Sequence, residues 1–206
     1  MLDSRSSAAV EAAVAALRGG EVVVYPTETL YGLGVDATNA DALARLVALK
    51  GRRDGKAISV LIDGRDMLTQ VCDHLTPLAD RLIARFWPGP LTLVVAARAS
   101  LSEVLTANSG TIGVRWSSCS IAAALVTRLG RPLTAPSANP SDMPPALSVD
   151  QARSYFGERV AYYLDGGPCL GGVGSTVVDA TGDTLRVLRE GAIPAAALRS
   201  ASVEAA

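Results

Sequence analysis

Apolar residues in this chain switch repeatedly between helical and strand periodicity. Val10, Val14 and Leu17 share one helical face after Ser6 and Ser7, either of which can cap, and Gly19-Gly20 stops the helix beyond Arg18. The β-branched run Val22-Val23-Val24 predicts a buried strand. Asn39 or Asp41 opens a second helix with Leu43, Leu46, Val47 and Lys50 at helical spacing and Gly51 at its end. A continuous apolar run over 58–62 predicts a strand. Thr76-Pro77 supplies the cap and first turn of a helix to Phe86, which Trp87-Pro88-Gly89-Pro90 breaks. Residues 91–96 form the next strand, and residues 111–116 alternate as another, with Arg115 near its end.

A helix over about 121–129 ends at Gly130, and Pro132-Leu133-Thr134 leads into Ala135-Pro136-Ser137-Ala138-Asn139-Pro140. The Pro-rich loop 140–147 is too short for a domain linker. A short helix, a strand over 160–164 and the glycine run 166–174 follow. Val177-Val178 and residues 185–188 form a final hairpin with Arg189 just past it. There is no internal repeat and no domain boundary. Strands alternating with helices predict an α/β fold, one domain over 1–206, with a mostly covered mixed sheet flanked by helices.

The stretch Tyr25-Pro26-Thr27-Glu28-Thr29-Leu30-Tyr31-Gly32-Leu33-Gly34 stands out against this frame. A strand running into Pro and then into hydroxyls, a carboxylate and two glycines is expected to end in a loop that grips a small polar ligand. A plain connector whose Thr residues cap backbone N–H groups is the alternative.

Composition narrows the classes. Of 206 residues, 49% are hydrophobic but only 4% aromatic, so the core is built of Ala, Val and Leu. Charges, Gly or Pro interrupt every apolar run short of a membrane span, and the first residues lack a signal-peptide layout. Cys72, Cys119 and Cys169 are far apart and never form a C-x-x-C pair, which fits a reducing cytoplasm. A net charge of −1 gives no global pull toward nucleic acid. With His74 the single histidine, His-rich metal sites are excluded and a Ser-His-Asp hydrolase is disfavoured; His74 itself reads as a solvent or capping residue.

Candidate chemistry must therefore be local. Lys50, Arg52, Arg53 and Lys56 place four cations in one helix-end loop, either a solvated turn or a polyphosphate clamp. No G-x-x-x-x-G-K-[ST] is present, so a P-loop is excluded. Gly171-Gly172-Val173-Gly174-Ser175-Thr176 resembles a phosphate nest without a lysine partner. Arg115, beside Val114 and Trp116, needs solvent or an anionic partner. Ser137 and Asn139 are held between Pro136 and Pro140. Together these loops predict one polar, anion-binding cleft.

The Pro26-to-Gly34 loop, Lys50-x-Arg52, Thr111-x-Gly113-Val114-Arg115, Ser137-x-Asn139, Gly174-Ser175-Thr176-Val177-Val178-Asp179 and Arg189-Glu190-Gly191 resemble, in order, the motifs of the YrdC-like threonylcarbamoyl-AMP synthase family, in its short form. The resemblance runs from about Val10 to Pro194. It implies a twisted sheet with a concave basic cavity, and a reaction joining L-threonine, bicarbonate and ATP into threonylcarbamoyl-adenylate with release of pyrophosphate. A tRNA threonylcarbamoyltransferase complex would use the product downstream, and weak tRNA binding would be a further property.

By the same resemblance Lys50, Arg52, Ser137 and Asn139 form the catalytic ATP-site tetrad, and Lys56, Thr111 and Arg189 add nucleotide contacts. Thr29, Arg115, Ala135 and Ser175 hold threonine, with Arg115 on its carboxylate. Magnesium would be carried mainly by ATP phosphates, with no dedicated protein metal site. Three places depart from the family pattern: Ala57-Ile58 and Leu61 stand where Pro-Leu and a His are usual, and Ser141-Asp142 replaces Ser-Gly. Competing readings are a non-catalytic RNA-binding module and a carbamoyl-adenylating enzyme that uses carbamoyl phosphate.

Overall fold

The computed structural model describes residues 4–51, 56–169 and 172–203. Helix α1, Ser4–Arg18, buries Val10, Val14 and Leu17 and ends where Gly19 N–H donates to Ala15 O. It begins ahead of Ser6 and Ser7, so neither caps it; the Ser7 hydroxyl instead accepts from Arg128.

The expected Tyr25–Gly34 loop is a β-hairpin. Strand β1, Val23–Pro26, pairs antiparallel with β2, Tyr31–Gly34, and only Thr27 to Leu30 turn the corner. Tyr-Gly-Leu-Gly has poor strand propensity, but the glycines are what the pairing needs. The Tyr25 ring lies across them, and a Cβ on Gly32 or Gly34 would stand 2.9 Å from ring carbons. The Thr27 hydroxyl closes the turn, accepting from the N–H groups of Thr29 and Leu30 and donating to Leu30 O.

Helix α2, Ala40–Lys50, starts at Asn39, whose side chain accepts from Ala42 N–H, and stops at Gly51 in the left-handed region (φ 60°). Lys50 is thus the last residue of the helix, as its spacing predicts. Strand β3, Val60–Leu61, is shorter than the predicted 58–62 run, because Ile58 N–H pairs with Leu105 O instead of the sheet. A helical turn α3, Arg65–Leu68, precedes α4, Pro77–Phe86, where Thr76 caps and Pro77 occupies the first turn as expected. His74 is exposed.

Strand β4, Leu91–Ala96, and β5, Thr111–Arg115, match their sequence patterns, with the short helix α5, Glu103–Thr106, between them. Helix α6, Ser120–Leu129, leads to β6, Leu133–Thr134. Helix α7, Val149–Phe156, precedes β7, Tyr162–Tyr163, a fragment of the expected 160–164 strand. Strands β8, Thr176–Asp179, and β9, Arg186–Arg189, form the final hairpin, so Arg189 ends a strand instead of following it. Helix α8, Ala195–Val203, which the sequence pattern did not predict, packs on α4 and buries Leu198.

The mixed sheet divides in two. A three-stranded sheet runs β2-β1-β7, and a six-stranded one runs β6-β3-β5-β4-β8-β9. Isolated bridges, Gly32 to Ser137 and Asp36 to Leu133, join them across a seam. Helices α1, α6 and α7 pack on β1, which is buried along its whole length. In the large sheet Leu91, Leu93 and Val95 of β4 and Ile112 and Val114 of β5 face the core. Period-2 alternation turns Thr92, Val94, Thr111, Gly113 and Arg115 to the opposite face. No helix among the described residues is long and apolar enough to cross a membrane.

Candidate active site

That opposite face is the floor of a cavity of about 750 Å³, within the ~300–1,000 Å³ range of small-molecule sites. The register explains the gathering. Val94 lies opposite Gly113, Thr92 pairs with Val177, and Val177 with Arg189, so alternate residues of four strands stand side by side. Gly113 keeps the floor low: a Cβ there would already touch Ser59 Cβ at 3.2 Å and Thr92 Cγ2 at 3.3 Å. The walls are the β1–β2 turn with Thr27 and Thr29, the end of α2 with Lys50, and the segment Ala135 to Asn139.

Every described member of the predicted site lines this cavity: Lys50, Lys56, Thr111, Ser137, Asn139 and Arg189 from the nucleotide set, and Thr29, Arg115, Ala135 and Ser175 from the threonine set. Arg52 lies outside the described residues, so its expected phosphate contact has no structural counterpart here. Ser59 and Thr92 also line the cavity and were not singled out from sequence, while Gly113 stood in the quoted motif without a role. The alternation around Leu91, Leu93 and Val95 carried the signal for Thr92.

Lys50 is buried, and its ammonium donates to Ser137 O at 2.7 Å and Asn139 O at 2.8 Å. Its backbone carbonyl accepts from Ser141 N–H at 3.0 Å. The end of α2 therefore clamps the Ser137–Ser141 segment on both sides. Asn139 Nδ2 donates to Pro140 O and Met143 O, which fixes the amide orientation and leaves Oδ1 buried without a hydrogen-bond partner. Asn139 thus offers the cavity an acceptor, which suits a hydroxyl, an amine or a metal ion rather than a phosphate oxygen.

Arg115 Nη1 donates to Thr29 Oγ1 at 3.0 Å, and Nη2 lies 2.8 Å from Glu28 Oε2. The Glu28 contact is ionic but off the hydrogen-bond axis, so Nε and Nη2 meet no hydrogen-bond acceptor among the described residues. Thr29 Oγ1 is 3.0 Å from Thr27 Oγ1, whose own proton goes to Leu30 O at 2.7 Å, so Thr29 is the donor of that pair. With its proton committed and one lone pair facing Arg115, the Thr29 hydroxyl can only accept from a ligand, as from an amine or alcohol.

Ser175 Oγ is 2.8 Å from Thr92 Oγ1, and Arg189 Nη2 donates to Ser175 O at 2.8 Å. Arg189 is exposed as a residue, but its guanidinium end is drawn in against Ser175. Burial, then the like charge of Arg115, pulls its pKa below the usual arginine value. Burial pushes the Glu28 carboxyl up. The Arg115 guanidinium, with the hydrogen bond from Ser117, outweighs it and holds the carboxyl below its usual range.

The lining carries one carboxylate among the described residues, Asp142, set in the left-handed region (φ 67°) near the clamped segment. No group of three His, Cys, Asp or Glu side chains able to hold a metal lies among the described residues. Asp142 and the unpartnered Asn139 Oδ1 are the cavity oxygens that would add to the phosphate oxygens around a nucleotide-borne magnesium ion.

Comparison with known proteins bears on the family of the chain. The Sua5/YciO/YrdC family model, described as telomere recombination, matches residues 15–191. A Mycobacterium tuberculosis protein is 40% identical over 187 residues, covering 91% of this chain and 86% of its own length. A threonylcarbamoyl-AMP synthase of Bacillus subtilis is 38% identical over 182 residues, and the chain spans 53% of its length against 88% of its own. Pyrococcus abyssi Sua5 complexed with L-threonine superposes with a TM-score of 0.90 at 34% identity, over 93% of this chain and 56% of that one. With the family model, these relatives and the shared architecture in agreement, the chain belongs to the Sua5/YciO/YrdC family.

Proposed function

We infer that the chain joins L-threonine, bicarbonate and ATP into threonylcarbamoyl-adenylate and pyrophosphate, a nucleotidyl transfer. The observation that carries this is one cavity in which a buried arginine beside hydroxyls adjoins a lysine-clamped Ser-x-Asn segment. Relatives named threonylcarbamoyl-AMP synthase and the L-threonine complex of P. abyssi Sua5 support the same substrates.

In this reading Arg115 takes the threonine carboxylate, while Thr29 accepts from its amine or hydroxyl. Ser175 and the backbone at Ala135 close the amino-acid end. Arg189, bonded to Ser175, stands between the two sets of ligands. The neutral amine adds to the bicarbonate carbon, water leaves, and a carbamate oxygen then attacks the α-phosphorus with pyrophosphate departing. Lys50 holds Ser137 and Asn139 against the nucleotide, and Arg52 and Lys56 stabilise charge growing on the phosphates. Magnesium would neutralise phosphate charge when bound. The product passes to a tRNA-modifying threonylcarbamoyltransferase complex in the cytoplasm.

Pyrophosphate release from ATP, magnesium and bicarbonate, measured with and without L-threonine, tests this. Strict dependence on threonine and bicarbonate is expected. Release indifferent to threonine, or driven by carbamoyl phosphate, would assign a different acyl source. No release together with salt-sensitive RNA binding would make the chain a binding module.

A further inference from the structure

Glu28 sits in the most distinctive stretch of the chain, yet it belongs to neither ligand set and does not line the cavity. It contacts Arg115 instead. We propose that Glu28, anchored by Ser117, is a positioning residue that fixes the Arg115 guanidinium for a substrate carboxylate. This rests on the reading that Arg115 receives the threonine carboxylate.

The anchoring is specific. Ser117, just beyond β5 and buried, donates its hydroxyl to Glu28 Oε2. Its Oγ accepts from Cys119 N–H at 3.2 Å, and Ser118 N–H donates to Glu28 Oε1 at 3.3 Å. Both carboxylate oxygens are therefore held by the turn between β5 and α6. The same carboxylate touches Arg115 Nη2, on the last residue of β5. Glu28 and Thr29 come from the hairpin of the small sheet, Arg115 and Ser117 from the end of β5 in the large one. The four side chains close a clamp across the seam.

Arg115 needs that clamp. Its side chain is 8% exposed, its Nε and Nη2 lack acceptors, and the like-charged Arg189 is close enough to be electrostatically coupled to it. Without Glu28, one hydroxyl bond to Thr29 would remain to hold a buried cation beside another cation. The guanidinium would swing toward water and lose its aim. A rival role, in which Glu28 competes with the substrate for Arg115, conflicts with the capture of both its oxygens outside the cavity.

The test compares wild type with Glu28→Gln and Ser117→Ala. In Glu28→Gln the KM for threonine should rise about tenfold, equivalent to ~1.4 kcal/mol of lost binding. The kcat at saturating threonine and the KM for ATP should stay unchanged, and Ser117→Ala should shift the threonine KM the same way by less. Nitrogen-15 spectra of the arginine side chains give a readout independent of activity: rotation of the Arg115 guanidinium should be hindered in wild type and averaged in Glu28→Gln. An unchanged or lowered threonine KM would overturn the proposal, as would an equal rise in the KM for ATP. A wild-type protein that releases no pyrophosphate with threonine would overturn the activity instead. The guanidinium spectra would then decide the role of Glu28, with unaltered Arg115 rotation overturning it.

Discussion

Replacing Lys50 with Met removes the ammonium and keeps most of the stem. On sequence grounds a Lys50 variant is expected to lose turnover while keeping its fold, because the residue reads as part of a loop. The structure changes that expectation. Lys50 is 7% exposed and its ammonium holds two backbone carbonyls, Ser137 O at 2.7 Å and Asn139 O at 2.8 Å. Each carbonyl left without a donor costs about 1–3 kcal/mol. Releasing the ammonium from burial offsets part of that sum, leaving a net loss of about 3 kcal/mol. For a chain of this length, each kcal/mol lowers the midpoint by about 2–4 °C, so the melt should fall by roughly 6–12 °C. Turnover should fall more than about 100-fold, because the Ser137–Asn139 wall loses its brace as the nucleotide loses a cation. Thermal unfolding followed by circular dichroism, with pyrophosphate release on the same preparation, measures both. Lost activity with a melt within about 2 °C of wild type would refute the bracing role, since the missing bonds should register well above that margin.

Three further outcomes follow from single contacts. The Glu28 carboxyl is held below its usual range in the folded protein, so the stability it contributes is complete above its unfolded value and is lost as pH falls through the folded one. Urea melts between about pH 6 and pH 3 should therefore show a steeper acid loss in wild type than in Glu28→Gln, and parallel curves would contradict this. A Cβ on Gly191 would stand 2.3 Å from Gly174 O and 2.6 Å from Ser175 carbonyl atoms, all backbone. Gly191→Ala should thus cost about 1–3 kcal/mol in chemical denaturation and raise the threonine KM by displacing Ser175. Tyr25→Phe removes the buried donor to Thr134 O at 2.8 Å; a loss of about 1–3 kcal/mol in urea unfolding, with an unchanged denaturant slope, is expected.

Much of the architecture was legible where local chemistry agrees with the tertiary outcome. Thr76-Pro77 capped the helix it was expected to cap, and Leu91–Ala96 is the strand its pattern describes. The hairpin at Tyr31–Gly34 was not legible, because its glycines answer to the Tyr25 ring on the partner strand, a contact that spacing along the chain does not encode. Helix α8 escaped for a related reason: its Ala-rich pattern is weak, and packing on α4 supports it. At the site, motif resemblance located the residues that line the cavity but was silent on how they are held. Whether Arg115 is braced by Glu28, and Ser137 by Lys50, depends on contacts between residues 87 and 89 positions apart, such as Lys50 with Ser137 and Ser117 with Glu28.

The strand order of the large sheet also bears on how the chain leaves the ribosome. Strands β6, β3, β5 and β4 can all pair before residue 135, but β8 and β9 are the last strands to emerge and add to β4. Until then β4 presents an apolar, unpaired edge, Leu91 to Ala96, to the crowded nascent environment. The same two strands carry or adjoin Ser175 and Arg189, so sealing that edge and completing the cavity are one event. A truncated or stalled chain would be both inactive and prone to aggregate, and ligand binding reports that synthesis has passed the final hairpin.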